Sequence, residues 1–403
     1  MTIVSARVPV RRLAATLYAY AFLTDLVLLY PVYVLLFADT GLSVGQISSL
    51  FVIWSASGIL LEVPSGAWAD AVSRRLLLAL APLLPAVAFA LWVLAPSYPV
   101  FALGFVLWGA GGSLRSGALE ALVFTALDRL GAADRYARLT GRAHTAGVLG
   151  AAVSGALAAP VLAVGGYPAV GAASIVACLL AAAVATRFPE HPLLDATPAD
   201  EPDDPGWRAS LRAGLAEARA HPPVRHAVLL VAAVTAIWGG LDEYTGLLAR
   251  DTGVATATVP LLLLLLWSGM TVGGLLAPLG ERLTRRGYAG LLVFAATMLA
   301  AGALWRHPAG FGLLAVAFAA FQLATVLADA RLQARIAGPA RATVTSLAGM
   351  ATDLTIVAFY AGYGLLAAGT GNPVAFAVSA VPYLLVALLL AARRPAQSGS
   401  ASR

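Results

Sequence analysis

The sequence predicts an all-α polytopic membrane protein of twelve transmembrane helices, arranged as six plus six. Three observations predict it. Apolar runs of about 20 residues, the length a helix needs to cross a bilayer, recur along the whole chain with short polar breaks between them. The arginines fall almost entirely in alternate breaks. One long polar, proline-rich stretch interrupts the series near its middle. Composition agrees: the chain is 60% hydrophobic and 11% charged, whereas soluble domains carry about a quarter charged residues. Mean hydropathy is +0.84.

Taken in order, the expected helices cover roughly 13–37, 44–65, 76–95, 99–123, 140–163 and 167–187, then 225–249, 258–279, 288–305, 309–330, 343–368 and 373–392. Gly/Pro breaks separate several of them: Thr40-Gly41, Pro96 to Pro99, Gly165 to Pro168 and Gly369 to Pro373. The short basic N-terminus leads into an apolar run with no small-residue cleavage site, so 13–37 reads as a first span and not as a removed signal. Residues 1–187 form a first bundle, 188–224 a cytoplasmic linker, 225–394 a second bundle and 395–403 a disordered Ser/Gly-rich tail. The linker gathers Glu190, Asp195, Asp200, Glu201, Asp203 and Asp204 among prolines, a composition that does not fold alone. Its end, Trp207 to Arg219, reads as a short amphipathic helix on the membrane surface.

The arginines set the orientation. All 26 basic residues are arginine. With the N-terminus inside, all but Arg115, Arg250 and Arg306 are cytoplasmic or at that edge, so both termini face the cytoplasm of a bacterial inner membrane. The net charge of +6 therefore follows from topology and not from a nucleic-acid surface. Cys178, the single cysteine, lies in an apolar run and offers neither disulfide nor thiolate metal site. The five histidines show no ligand spacing and no phosphate loop occurs. No enzyme, cofactor or metal is expected.

The charged break Glu62-Val63-Pro64-Ser65-Gly66-Ala67-Trp68-Ala69-Asp70-Ala71-Val72-Ser73-Arg74-Arg75 reads as a tight turn at a membrane face, with Asp70 near the start of the next helix. A related triplet returns in the second half: Glu281, Arg285 and Arg286 repeat the spacing of Asp70, Arg74 and Arg75, again after the second helix of the half. This break resembles the loop between the second and third helices of the major facilitator superfamily. That pattern is Gly, three residues, Asp, a basic residue, any residue, Gly, any residue and two basic residues. Gly66 and Asp70 match; Ala71 replaces the first basic residue, Ser73 falls near the second glycine and the arginine pair comes one residue early. Glu-Val-Pro-Ser-Gly before the Asp also resembles a bacterial branch of the superfamily.

The resemblance implies two six-helix bundles with pseudo-two-fold symmetry that rock about a central site. It also implies that the first, fourth, seventh and tenth helices line the cavity. In such proteins the loop Asp and its basic neighbours pair between helices and hold the inner gate shut. That role carries over to Gly66, Asp70, Arg74 and Arg75, and by the repeat to Glu281, Arg285 and Arg286, with Asp128 as a partner near the inner end of the fourth helix. The drug–proton antiporter branch has a Gly-Pro pair followed by Gly-Gly in its fifth helix. Here that helix has Gly141, Gly147, Gly150, Gly155 and Pro160 without that run.

Ionisable groups at membrane depth are costly and mark functional candidates. They are Asp25 in the first helix, Arg115 and Glu120 in the fourth, Asp242 and Glu243 in the seventh and Asp353 in the eleventh. Asp25 lies about 12 residues into its helix, roughly 18 Å at 1.5 Å per residue, near the midplane. No basic residue lies within a turn of it, which makes it the first coupling candidate. Arg115 either pairs with a carboxylate to hold helices together or takes the proton-transfer role that the resemblance gives a fourth-helix arginine. Glu120 is five residues on, about 140° round the helix, so it finds a partner elsewhere or carries a proton. Asp242 and Glu243 point about 100° apart, so one faces the cavity and the other reaches towards Arg250. Asp353 is a partner for Arg115 or a backbone cap. Tyr30, Tyr33, Trp108, Trp238, Tyr244 and Tyr360 are the aromatic candidates for a cavity wall. The functions to weigh are proton-coupled export of small amphipathic or cationic molecules, proton-linked uptake of a small metabolite, and a non-transporting receptor or scaffold. The resemblance implies a small-molecule substrate, protons and membrane lipids as partners, with the chain a monomer.

Overall fold

The computed structural model describes residues 3–189, 216, 221–336 and 341–392, with the side chains at 3–8, 63–71, 341 and 342 left out. The linker helix expected at 207–219, apart from Ala216, and the tail at 395–403 lie outside the described residues. No strand occurs among the described residues. Nine of the helices they contain are long and apolar enough to cross a membrane. Large apolar side chains such as Leu60, Leu94, Leu365 and Leu388 stand more than half exposed. Contiguous apolar surface of this kind is not left facing water, so it is the hydrocarbon-facing surface.

The chain forms two compact units. Unit 1 holds residues 1–207 together with 254–264 and 360–369; unit 2 holds 208–253, 265–359 and 370–403.

Unit 1 opens with α1 (Ile3–Asp25), which stops short of the expected end. Residues 26–32 form turns before α2 (Tyr33–Asp39) resumes the span. The cause is Pro31, which has no N–H to give and whose ring clashes with the carbonyl four residues back, that of Val27. Non-helical backbone at membrane depth must be satisfied by protein. Here α7 (Tyr136–Ala185) does it: Ser154 Oγ donates to Val27 O at 2.6 Å, and Leu29 N donates to Ser174 Oγ at 2.9 Å.

α3 (Val44–Ala71) corrects one expectation. The helix runs through Gly66 and Asp70, so Asp70 lies in its last turn and not at the start of the next helix. Only Val72 and Ser73 connect it to α4 (Arg74–Leu80). The next helix takes its cap from Ser73, whose Oγ accepts from Leu76 N at 3.3 Å. Pro82 separates α4 from α5 (Leu83–Leu94). After α6 (Tyr98–Arg129), α7 runs for 50 residues, which at 1.5 Å per residue is about 75 Å, far more than the ~30 Å hydrocarbon core. It folds at Gly166, whose φ of 61° and ψ of −163° suit only glycine, and so supplies two spans.

The core of unit 1 has two parts. Leu17, Tyr20, Leu78, Leu122, Leu127 and Phe188 fill one end, with Tyr20 OH donating to Leu78 O at 3.0 Å. At the other, Phe37, Phe51, Trp92, Phe101 and Phe105 pack round Tyr33, and Phe37 and Phe101 have ring centroids 4.3 Å apart. Tyr360 belongs to this unit too and meets Phe51 at 5.2 Å.

Unit 2 repeats the plan. α8 (Pro222–Asp242) and α9 (Thr245–Arg250) form a first span broken at Glu243–Tyr244. α10 (Val259–Leu275), α11 (Ala277–Gly280), α12 (Arg285–Leu304), α13 (Gly310–Gln333), α14 (Arg341–Thr370), α15 (Asn372–Val378) and α16 (Val381–Ala392) follow, with 259–264 of α10 and 360–369 of α14 belonging to unit 1. No proline interrupts α8 after its first turn. Within α8, Tyr383 of α16 bonds to the backbone: its hydroxyl accepts from Trp238 N at 2.8 Å and donates to Val234 O at 3.2 Å.

Local details match between the halves as well. Thr284 Oγ1 caps α12 by accepting from Gly287 N at 3.1 Å, as Ser73 caps α4. Asp39, at the end of the first span, accepts from Tyr167 OH at 2.6 Å, and Asp251, at the end of the seventh, accepts from Asn372 Nδ2 at 2.9 Å. Each pair ties the first span of its half to the connection between the fifth and sixth.

Candidate functional site

Each first span breaks at an aspartate. α1 ends on Asp25 and α8 ends on Asp242. Broken spans expose backbone and side chains at membrane depth, where transporters of this general plan bind solutes and ions.

In unit 1, Asp25 Oδ1 lies 3.8 Å from Arg115 Nη1 of α6. The two side chains are 44% and 40% exposed. His144 of α7 is exposed and close enough to Asp25 for an electrostatic interaction. Gly147 packs directly on the carboxylate; a Cβ there would overlap Asp25 Oδ2. One turn on, a Cβ at Gly150 would overlap the carbonyl oxygen of Phe22. The small residues of α7 thus let α1 approach until its terminal carboxylate is held against the partner helix. Beside the pair, Tyr20, Thr24, Arg115 and Cys178 line a pocket of about 40 Å³, enough for a water molecule.

In unit 2, Trp267 hydrogen-bonds to the Asp242 side chain, and the neighbouring Glu243 carboxylate is close enough to repel it. Among the described residues, Asp242 Oδ1 is buried with no hydrogen-bond partner. A carboxylate oxygen left so is costly unless a proton or a cation meets it. Thr245 Oγ1 donates to Asp242 O at 2.6 Å and closes the break.

The other expected residues are placed differently. Glu120 is exposed on α6 and interacts electrostatically with Tyr136 at the start of α7, so it needs no buried partner. Asp353 is half-buried on α14 in unit 2, while the partner of Arg115 is Asp25. Arg74 Nη1 donates to Thr125 Oγ1 of α6 at 3.2 Å and ties α4 to that helix one turn before Asp128. Arg75 is half-buried, whereas Glu281, Arg285 and Arg286 are exposed. The Asp70 side chain is not among those described. Of the aromatic candidates, Tyr33, Trp238, Tyr244 and Tyr360 are buried packing residues. Tyr30 and Trp108 remain half-buried, 6.1 Å apart, and Trp54 joins them 5.5 Å from Trp108.

Sequence reasoning missed His144, Ser154, Ser174 and Tyr383. Only the break in the first span had a local signal, Pro31, inside an otherwise continuous apolar run.

Two helical units, each with a broken first span and a carboxylate at the break, define a multi-span membrane transporter. The chain belongs to the Major Facilitator Superfamily, whose model matches residues 15–330. Among solved structures it resembles the nucleoside transporter NupG, at TM-score 0.73 and 12% identity over 94% of this chain and 98% of that one. It also resembles a bacterial homologue of the human lysosomal transporter Spinster, at 0.71 and 16% over 94% and 95%. A D-xylose–proton symporter matches at 0.66 and 16% over 98% of each chain. No individually curated protein matches the chain significantly. The chain is thus a secondary transporter of the major facilitator kind, a multi-pass membrane protein and not an enzyme.

Proposed function

We propose that this transporter couples the movement of a small organic solute to protons and works by alternating access. The observation that carries this reading is the Asp25–Arg115 pair at the break of the first span, 3.8 Å apart, half-exposed and with His144 close by. A proton arriving at Asp25 releases Arg115, and its departure restores the pair. Asp242, with one buried oxygen unmatched at the equivalent break, is the second proton or cation acceptor. The proton-symporter neighbour supports coupling as a property of the fold's relatives.

Export of amphipathic or cationic molecules is the first reading for the solute. Of the candidate residues, Asp25, Glu120, Asp242, Glu243 and Asp353 are acidic and Arg115 alone is basic. The half-buried faces of Tyr30, Trp54 and Trp108 suit a flat or cationic organic group. Proton-linked uptake of a small metabolite is the second reading, favoured by the neutrality of the Asp25–Arg115 pair itself. The two bundles, 1–187 and 225–394, would rock about the site, with Asp70, Arg74, Arg75, Glu281, Arg285 and Arg286 at the inner gate. Asp70→Asn should then raise labelling of cavity cysteines from the inner side; unchanged labelling reduces the motif to a topology signal. Both termini and the linker are assigned to the cytoplasm of a bacterial inner membrane by the arginine bias.

The experiment is a thermal-shift screen of purified protein against metabolites and organic cations, followed by flux of each hit in proteoliposomes. Substrate-dependent flux driven by a pH gradient supports the reading. Hits that bind without any flux would instead make the protein a receptor or scaffold.

A further inference from the structure

Unit 2 carries a second polar–apolar site far in kind from the broken helices. The start of α8, the start of α12, the end of α13 and the last turns of α16 enclose a groove of about 1190 Å³. Its walls are Leu229, Leu230 and Ala233 on α8 and Val386, Leu389 and Leu390 on α16. Leu229 is 57% and Leu389 64% exposed, so the groove opens on the hydrocarbon-facing surface. Its polar end is formed by Arg285, Arg331 and Arg335, with His226 beside them. No carboxylate lines it among the described residues.

The arginines are arranged for an anion. Arg331 and Arg335 are four residues apart and share one face of α13. The Arg331 guanidinium is held in place: Nη2 donates to Leu283 O at 3.3 Å, and Cζ stands 4.1 Å over the Tyr288 ring. Tyr288 is itself fixed, donating to Ala324 O at 2.9 Å. A carbonyl and a ring orient the cation without cancelling its charge. Arg285 is the first residue of α12, whose first turn has no acidic residue to offset the positive helix end.

We propose that this groove binds an anionic phospholipid of the leaflet on the arginine-rich face, with its phosphate among Arg285, Arg331 and Arg335 and an acyl chain along the leucines. A phospholipid supplies both halves of the complementarity, anion and hydrocarbon. The acidic linker around Asp200 and Asp203 would supply carboxylates but few apolar side chains. Basic pockets between membrane helices on the cytoplasmic side commonly hold such headgroups.

The test is native mass spectrometry of the full-length protein in mild detergent, titrated with dioleoyl phosphatidylglycerol or dioleoyl phosphatidylethanolamine. Wild type should bind the anionic lipid more tightly. Arg335→Gln, at an exposed position, should weaken phosphatidylglycerol roughly fivefold, and Arg331→Gln/Arg335→Gln roughly 25-fold, from about one charge's attraction per arginine. Phosphatidylethanolamine should change little, and Arg138→Gln, an exposed arginine of unit 1, should leave both lipids unaffected. Leu389→Asn should weaken both lipids together. Unchanged phosphatidylglycerol binding in Arg335→Gln overturns the proposal. So does equal competition by sn-glycerol 3-phosphate, which has no acyl chain. A lipid preference that emerges only after the linker acids are neutralised also overturns it, by showing the linker in the groove.

Discussion

The broken first span of unit 1 rests on two serine hydroxyls, and their removal should have unequal effects. Ser174→Ala takes from Leu29 N, a fully buried donor, the one acceptor it has among the described residues. Ser154→Ala takes one of two donors from Val27 O, because Tyr30 N also donates to that oxygen at 3.0 Å. A buried donor left unmatched costs about 1–3 kcal/mol, whereas interhelical hydrogen bonds in membranes average only about 0.6 kcal/mol because the separated helices find other partners. Leu29 N has no helical partner to return to, since the turn holds it outside any helix. Ser174→Ala should therefore cost about 1–3 kcal/mol and Ser154→Ala about 0.6 kcal/mol. The double variant should fall short of or exceed the sum, because both sites share one segment. Ser116→Ala is the control: its hydroxyl bonds only to Ser113 O of its own helix, and a change within about 0.5 kcal/mol is expected. The assay is reversible unfolding in mixed micelles titrated with sodium dodecyl sulfate, read by two probes whose transitions must coincide. Ser174→Ala within 0.5 kcal/mol of wild type, on the same ~0.5 kcal/mol margin, or costing less than Ser154→Ala, refutes the reasoning.

Other outcomes follow from the same packing. Gly150→Ala should destabilise by about 1–3 kcal/mol, because its methyl would press on the rigid Phe22 carbonyl. Gly141→Ala, with nothing within 4 Å of the added methyl, should be neutral or gain up to about 1 kcal/mol from helix propensity; unfolding of both variants compares them. Tyr383→Phe should cost no more than about 1 kcal/mol in the same unfolding assay, since Trp238 N lies four residues from Val234 O and can close the ladder on it. Cysteines placed at Ser398 and Asp203 should label only from the cytoplasmic side, against little background from Cys178, which is 2% exposed.

Much of the span pattern was legible because a span is a local property: twenty apolar residues and a Gly/Pro break announce it wherever they occur. The fold at Gly166 fell between Gly165 and Pro168, where the sequence placed a break. What the sequence hid is tertiary. Nothing near Asp25 in the chain reveals Arg115, because the pair forms between α1 and α6. Ser154 and Ser174 look like any small residues of a packed helix until the unwound backbone at Val27 and Leu29 gives them a task. The second break is hidden further, since no proline marks it. Asp70 was misplaced because Gly66 and Pro64 read as a turn, yet α3 runs through both. Burial also separated the aromatics: from sequence alone Tyr33 and Tyr30 are equivalent, but only Tyr30 keeps an accessible face.

The central claim is that Asp25 carries the coupling proton. Purified wild type and Asp25→Asn, matched for melting temperature, should be reconstituted into proteoliposomes with a solute from the binding screen and given a pH gradient. Wild type should move solute against its own gradient. Asp25→Asn should exchange solute down its gradient yet fail to accumulate or expel it under proton drive. Gradient-driven transport by Asp25→Asn equal to wild type would contradict the account and move the coupling role to Asp242.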